Sequence, residues 1–250
     1  MRVLITGAAG RIGTVLRAGL RDEFDLRLSD VVELDDADFV AADLADAAAV
    51  DRAVAGVDAV VHLGAVPDEV SFADVAGPNL AGAFHVFDAA RRHGARRVVY
   101  ASSNHATGMY PVGAPLDGSQ PPRPDGIYGA SKVWGEAIGR MFAERFGLEV
   151  VCLRIGSFRE RPTERRELAT WLSHGDAVRL VRAALTAPDV SFEIVYGVSR
   201  NTRAWWPLTG ALGYDPRDDA EAFAAEIAGK GPEYERQGGP NAEPGHGGWA

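Results

Sequence analysis

One cysteine, Cys152, stands among the 250 residues of this chain. No disulfide framework can form within it, and a lone thiol in the apolar run LEVVCLRIG is expected to be buried and inert. No stretch is apolar for long enough to cross a bilayer, and the opening run RVLIT lacks the charged-then-apolar pattern of a secretory leader. A surplus of positive charge is missing too. The formal net charge is −9, whereas a nucleic-acid binder needs a cationic surface to neutralise phosphates. These absences point to a soluble protein in a reducing, cytoplasmic setting, with neither membrane nor nucleic acid as partner. The arginine group Arg91, Arg92, Arg96 and Arg97 reads as a solvated helix end. Internal repeats and metal-ligand spacings are absent as well, so no metal site is expected.

What is present is short apolar runs alternating with longer amphipathic ones, the pattern of strands joined by crossover helices. Strands are expected near 2–6, 26–29, 38–41, 58–63, 96–101 and 149–155, and helices near 11–21, 46–55, 74–93 and 126–146. The strand runs are continuously apolar rather than alternating (VVHLGA, RVVYAS), as in a sheet covered on both faces. The fold class that follows is a doubly wound, Rossmann-type α/β parallel sheet with a small carboxyl-terminal part. Beyond residue 155, 163–174 and 176–187 look helical, 191–198 reads as a strand and 216–229 as a helix. The Gly- and Pro-rich end is expected to be irregular or mobile. A loop at 111–126 carries five prolines, and a loop that long is more often functional than accidental.

The segment VLITGAAGRIG sets Gly7, Gly10 and Gly13 between the first strand and first helix. Such glycines permit a tight turn, a close approach to a pyrophosphate and close helix–sheet packing, and the helix amino terminus adds unpaired N–H groups. Three spaced glycines are weak evidence alone; their place in the first βαβ unit makes them a dinucleotide site. Arg11 and Ile12 belong to the same turn. Asp30 ends the second strand, where a carboxylate accepts from both ribose hydroxyls and repels a 2′-phosphate, so the expected cofactor is NAD. Arg11 is the counter-signal, unless it points to solvent. Asp43 and Leu44 end the third strand near the adenine, although a helix cap at Asp43 or Asp46 is an equal reading.

Tyr128 and Lys132 are four apart and share a helix face. An ammonium beside a phenol is expected to pull the tyrosine pKa down and give a general base, while Lys132 also reaches the nicotinamide ribose. Ser103 ends a central strand, where the crevice of such a sheet lies.

In this order the motifs resemble those of the extended short-chain dehydrogenase/reductase family, the NAD-dependent epimerase/dehydratases, over nearly the whole chain. The resemblance adds Leu63, Gly64 and Ala65 of VHLGA, Asn79 and Ile155 to the cofactor-binding residues. More narrowly, VYASSNH, RPDGIYGASK, LRIGS and TWLSHGD look like the uronate dehydrogenase branch of that family, which implies oxidation of glucuronate or galacturonate at C1 to an aldaro-lactone. Tyr128 would then be the base, assisted by Lys132 and Ser103. Ser103, Asn104, His105 and Ser157 would contact the sugar acid, and Arg166 would clamp its carboxylate as a bidentate fork. Arg165 is the rival guanidinium, and Asn104 and His105 also suit a strand-end backbone role. His174 and Asp176 are expected to begin a helix rather than react. Where that branch leads one to expect a small hydroxyl residue, Pro67 stands, with Ser71 as a speculative substitute.

The resemblance implies one domain over 1–250: an NAD-binding core at 1–155, a mainly substrate-binding part at 156–230 and an irregular tail at 231–250. Family habit adds a homo-oligomer. A nucleotide-sugar epimerase or dehydratase competes on the same scaffold but needs a larger carboxyl-terminal lobe. A non-catalytic dinucleotide sensor would have no need to keep Ser103, Tyr128 and Lys132 in order.

Overall fold

A computed structural model describes residues 1–208, 210 and 212–245. Among these, the strands are β1 (Arg2–Thr6), β2 (Asp25–Asp30), β3 (Phe39–Ala41), β4 (Ala59–His62), β5 (Arg97–Ser103), β6 (Glu149–Ile155), β7 (Ser157–Phe158), β8 (Trp171–Leu172) and β9 (Phe192–Gly197). Seven form one parallel sheet in the order β3-β2-β1-β4-β5-β6-β9, while β7 and β8 pair separately. The helices are α1 (Arg11–Leu20), α2 (Ala47–Val54), α3 (Phe72–Val75), α4 (Gly82–Arg92), α5 (Ile127–Phe146), α6 (Glu167–Thr170), α7 (His174–Thr186) and α8 (Ala224–Ile227).

Successive strand residues point to opposite faces, and both faces are apolar. Val3, Ile5, Val61, Val99 and Val151 pack under α1 and α7 with Leu16, Leu20, Leu180 and Leu185. Leu4, Val60, Val98 and Val150 face α2, α4 and α5 through Val50, Val86, Phe87 and Phe142. The expected doubly wound sheet is therefore the observed one. Its order reverses between β1 and β4, so the loops leaving those strands diverge and open a crevice at their carboxyl ends.

The helix α5 is tied to the sheet beneath it by a buried ion pair. Arg154 Nε and Nη2 donate to the two Glu136 oxygens at 2.8 Å each, and Ser102 Oγ donates to the same carboxylate at 2.6 Å. At the other end Gly147 terminates the helix in the left-handed region, at φ 70°, where a residue without Cβ is unstrained.

Several expected elements differ. The helix at 74–93 is three pieces: α3, a π turn over Ala76–Ala81, and α4. Pro78 brings no N–H to the regular helix ladder there. The segment 163–174 is helical only over α6 before Trp171 turns into β8. The Trp171 carbonyl accepts from Ser199 N and Asn201 Nδ2, both at 2.8 Å, so tertiary bonds replace the helix ladder. The helix at 216–229 shrinks to a 3-10 turn and α8. Arg97 is no solvated helix end. It is 1 % exposed and donates to Glu149, Ala184 O and Ala187 O. Cys152 is buried, with its thiol pKa pushed up by burial. No helix among the described residues is long and apolar enough to cross a membrane.

The tail has the irregular backbone expected of it, with one 3-10 turn at Gly239–Ala242. Gln237 is fully buried, and Pro111 pairs with Arg236 in an antiparallel bridge, so this stretch is docked rather than loose. Residues 246–250 lie outside the described residues.

Candidate active site

The crevice holds a cavity of about 480 Å³ whose wall is the turn from β1 to α1 on one side and the end of β4 on the other. Gly7 has φ 69°, and a Cβ there would lie 2.7 Å from Gly64 N. A Cβ on Gly13 would lie 2.4 Å from Gly7 O, and one on Gly10 would lie 3.2 Å from the same oxygen. The turn is thus packed so tightly that side chains cannot enter it. Arg11, Ile12, Leu63, Gly64 and Ala65 continue the wall, Arg11 being exposed. At the far end lie Asp30, Asp43 and Leu44. Asp30 accepts from Ala9 N at 2.9 Å and Val32 N at 3.1 Å, so its carboxylate is fixed on the rim. Asp43 forms a local turn with Ala45 N, while Asp46 caps α2. A bare backbone cradle at a helix amino terminus, with a fixed carboxylate beyond it, fits a dinucleotide with free ribose hydroxyls.

Arg11, Ile12, Leu63, Ala65 and Pro67 also bound a second cavity of about 320 Å³, so the two form one cleft. Into the second come Ser103, Asn104 and His105 from the end of β5, Tyr128 and Lys132 from α5, Ile155 and Ser157 from the end of β6, and Arg166. The amino terminus of α5 is capped from a distance: Ile127 N and Tyr128 N donate to Glu69 at 2.7 and 3.2 Å. A carboxylate there satisfies unpaired donors and complements the helix dipole.

The electrostatics of the pair differ from expectation. Burial pushes the Tyr128 phenol up to about 12; a hydrogen bond with Ser103 pulls it down, and the charges of Asp68 and Asp125 push it further up. Lys132 Nζ lies 5.5 Å from the Tyr128 ring centroid and 5.2 Å from that of Tyr100. Its own pKa is lowered to about 8 by burial. Burial dominates both shifts, and the expected lowering of the phenol by Lys132 is not among the effects on Tyr128.

Arg166 faces the cavity, whereas Arg165 donates to Ala228 O and pairs with Glu233. The Arg166 Nε and Nη2 both donate to Gln237 O, at 3.2 and 2.6 Å, and Nη1 donates to Ser157 Oγ at 3.2 Å. With its amide oriented to satisfy both neighbours, Asn104 donates to Ile155 O and accepts from Arg166 Nη2, each at 3.0 Å. Of the five guanidinium N–H groups, this leaves one, on Nη1. A bidentate fork is therefore not on offer, and the expectation is corrected to a single charged donor flanked by Ser157 and Asn104.

Asn79 lies off both walls. It accepts from Val66 N at 2.7 Å and donates to Val66 O and Ser131 Oγ at 3.0 Å each, bracing the loop after β4. Ser71 bonds Asp74 and caps α3, so it does not substitute at Pro67. His174 begins α7, and Asp176 is buried under the N–H groups of Arg217 and Asp218, as expected.

Sequence reasoning missed Asp125. Its carboxylate meets His105 Nδ1 at 2.7 Å, and a Cβ on Gly108 or Gly238 would fall 1.8 or 1.9 Å from it. His105 in turn sets its ring edge-on to Tyr128, centroids 6.0 Å apart. Gly238, Pro240 and Asn241 of the tail, also missed, close the cavity. The five-proline loop delivers Asp125; Met109 N and Arg123 N bond Arg123 O and Ala106 O along it.

The family model described as NAD dependent epimerase/dehydratase family matches residues 3–173. A uronate dehydrogenase of Pseudomonas syringae pv. tomato is 43% identical over 234 residues, covering 90% of this chain and 85% of that protein. Two solved structures are close in shape. A mutant uronate dehydrogenase from Agrobacterium tumefaciens complexed with NAD has TM-score 0.92 and 42% identity, over 96% of each chain. Glucuronic acid dehydrogenase from Chromohalobacter salexigens has TM-score 0.94 and 39% identity, over 98% of each chain.

Proposed function

This chain belongs to the NAD dependent epimerase/dehydratase family, and from that premise we propose that it oxidises a hexuronate, glucuronate or galacturonate, at C1 to the aldaro-lactone with NAD. The observation that carries the reading is the single cleft in which Tyr128, Ser103 and Arg166 face one cavity and the glycine turn and Asp30 face the other. Relatives named for uronate and glucuronic acid oxidation, one of them solved with NAD, support it.

Asp30 receives the adenosine ribose hydroxyls and disfavours a 2′-phosphate, the backbone N–H groups at the start of α1 face the pyrophosphate, and Lys132 holds the second ribose. NAD supplies, when bound, the acceptor for the hydride. Tyr128 takes the proton of the C1 hydroxyl while the C1–H bond breaks and C1 becomes a carbonyl, so the ring leaves as lactone. Ser103 holds the reacting oxygen and is the neighbour that favours the phenolate. Because the phenol starts from a high pKa, turnover is expected to climb with pH. Arg166 gives its remaining Nη1–H to the C6 carboxylate, with Ser157 and Asn104 beside it. His105, held by Asp125, presents Nε2 to a ring hydroxyl.

The second cavity, of about 320 Å³ with Gly238, Pro240 and Asn241 in its wall, supports a free sugar acid as the substrate. Cytoplasmic residence and assembly into a homo-oligomer belong to the same proposal; size-exclusion chromatography tests the latter. The function itself is tested by mixing the purified protein with NAD and glucuronate or galacturonate and following NADH absorbance. Turnover is expected. Silence on every uronate, with turnover of a nucleotide sugar, would replace this reading by the epimerase one.

A further inference from the structure

The guanidinium of Arg166 is held by the tail. Its Nε and Nη2 converge on one acceptor, the Gln237 carbonyl, and that carbonyl cannot move easily, because every polar atom of Gln237 is engaged elsewhere. Its Nε2 donates to Pro111 O at 3.1 Å and Ala114 O at 3.0 Å, its Oε1 accepts from Trp206 Nε1 at 2.7 Å, and its N–H donates to Tyr110 O at 2.9 Å. Trp206 is stacked on Tyr196 of β9, centroids 4.8 Å apart, so the anchor runs to the sheet. The residues that follow are shaped around the site. Gly239 has φ 63°, and a Cβ on it would lie 2.8 Å from Arg166 Nε.

We propose that Gln237 is a positioning residue for substrate selection: through its buried side chain it fixes the tail strap at 235–241, whose carbonyl aims Arg166 so that one charged N–H is left for the carboxylate of the sugar acid. The proposal rests on the hexuronate reading and extends it to a segment that does not itself touch the reacting atoms. Aiming is worth most where the donor is single. A guanidinium that retained all its N–H groups could turn and still bind; one with a single remaining N–H must point correctly.

The strap therefore acts on KM for substrates bearing a carboxylate and has little hold on chemistry at C1. Two variants of the full chain test this. Gln237→Ala releases the anchor. Gly239→Ala keeps the Gln237 side-chain anchor and pushes on Arg166 from a buried turn at φ 63°. Its urea unfolding midpoint is measured beside that of wild type, and the kinetics are read on the folded enzyme. For each, NAD affinity is measured by fluorescence titration, and KM and kcat are measured with galacturonate and with galactose, which carries CH2OH in place of the carboxylate. The expected result is a rise of at least about tenfold in galacturonate KM, with kcat within about threefold and NAD affinity unchanged. Selectivity for galacturonate over galactose falls by about the same tenfold factor. A Gly239→Ala enzyme with unaltered galacturonate KM overturns the proposal, as does a parallel loss on both sugars. Wild-type protein that binds NAD but oxidises no hexuronate overturns the functional reading itself, and this proposal with it.

Discussion

Replacing Lys132 with methionine should make the cofactor-free protein more stable at neutral pH while abolishing turnover. The side chain is 3 % exposed, and its ammonium is flanked by two aromatic rings rather than by a carboxylate. Burial lowers its pKa from the ordinary 10.5 to about 8. At 1.36 kcal/mol per unit, holding the charged form in the fold costs roughly 3 kcal/mol. Methionine has similar length and no charge, so most of that cost is recovered. The pH dependence has a definite sign. Below about pH 8 lysine is protonated in both states and stability is flat; between about pH 8 and 10.5 the unfolded chain holds the proton that the fold has released, so stability rises by the same roughly 3 kcal/mol. Tyr128 opposes this only above pH 10, where unfolded tyrosine ionises while the buried one keeps its proton to about 12. His62, lowered to about 3, acts only below its ordinary 6.5. Between these limits the buried Cys152 thiol, whose pKa burial raises, opposes Lys132 as the unfolded thiol ionises. Urea unfolding from about pH 7 to 9.5 is therefore read as the difference between wild type and Lys132→Met, in which the thiol cancels. Lys132→Met should start higher at neutral pH, and the gap to wild type should close as pH rises from about 8. A variant less stable than wild type at neutral pH, or two parallel curves, would refute the reasoning.

Gly13→Ala should weaken NAD binding at least about tenfold, since its Cβ would meet the Gly7 carbonyl at 2.4 Å and displace the turn; calorimetric titration reads this. Glu136→Ala should cost about 3–5 kcal/mol in urea unfolding, because it leaves Arg154 charged and buried without its partner. Asp125→Asn should lower kcat/KM at least about tenfold while sparing NAD affinity. The His105 ring loses its charged acceptor there, and nitrogen chemical shifts of that imidazole should report the change in tautomer.

The fold was legible because local composition carries it. Continuous apolar runs such as VVHLGA can only be strands covered on both sides, and glycines at the β1–α1 turn mark a place where backbone must be bare. Tyr128 and Lys132 were equally visible, since four residues on a helix define a face. What stayed hidden depends on contacts across the chain. Asp125 meets a histidine 20 positions earlier, in space cleared by Gly108 and Gly238, which no spacing connects. Gln237 reads as part of a loose Gly- and Pro-rich end, yet its partners at Tyr110, Pro111, Ala114 and Trp206 bury it. Arg97 looked like one of four surface arginines, but the β5 register aims it at the carbonyls that end α7. The phenol pKa was misjudged for a related reason: the Tyr128–Lys132 proximity is evident from spacing, while the burial that raises the phenol appears only once the chain is packed.

The account turns on Tyr128 as the group that takes the C1 proton. Tyr128→Phe, assayed with NAD and galacturonate beside wild type, should lose at least about a thousandfold in kcat while keeping NAD affinity and unfolding midpoint. A phenylalanine enzyme that turns over within about tenfold of wild type would contradict that assignment.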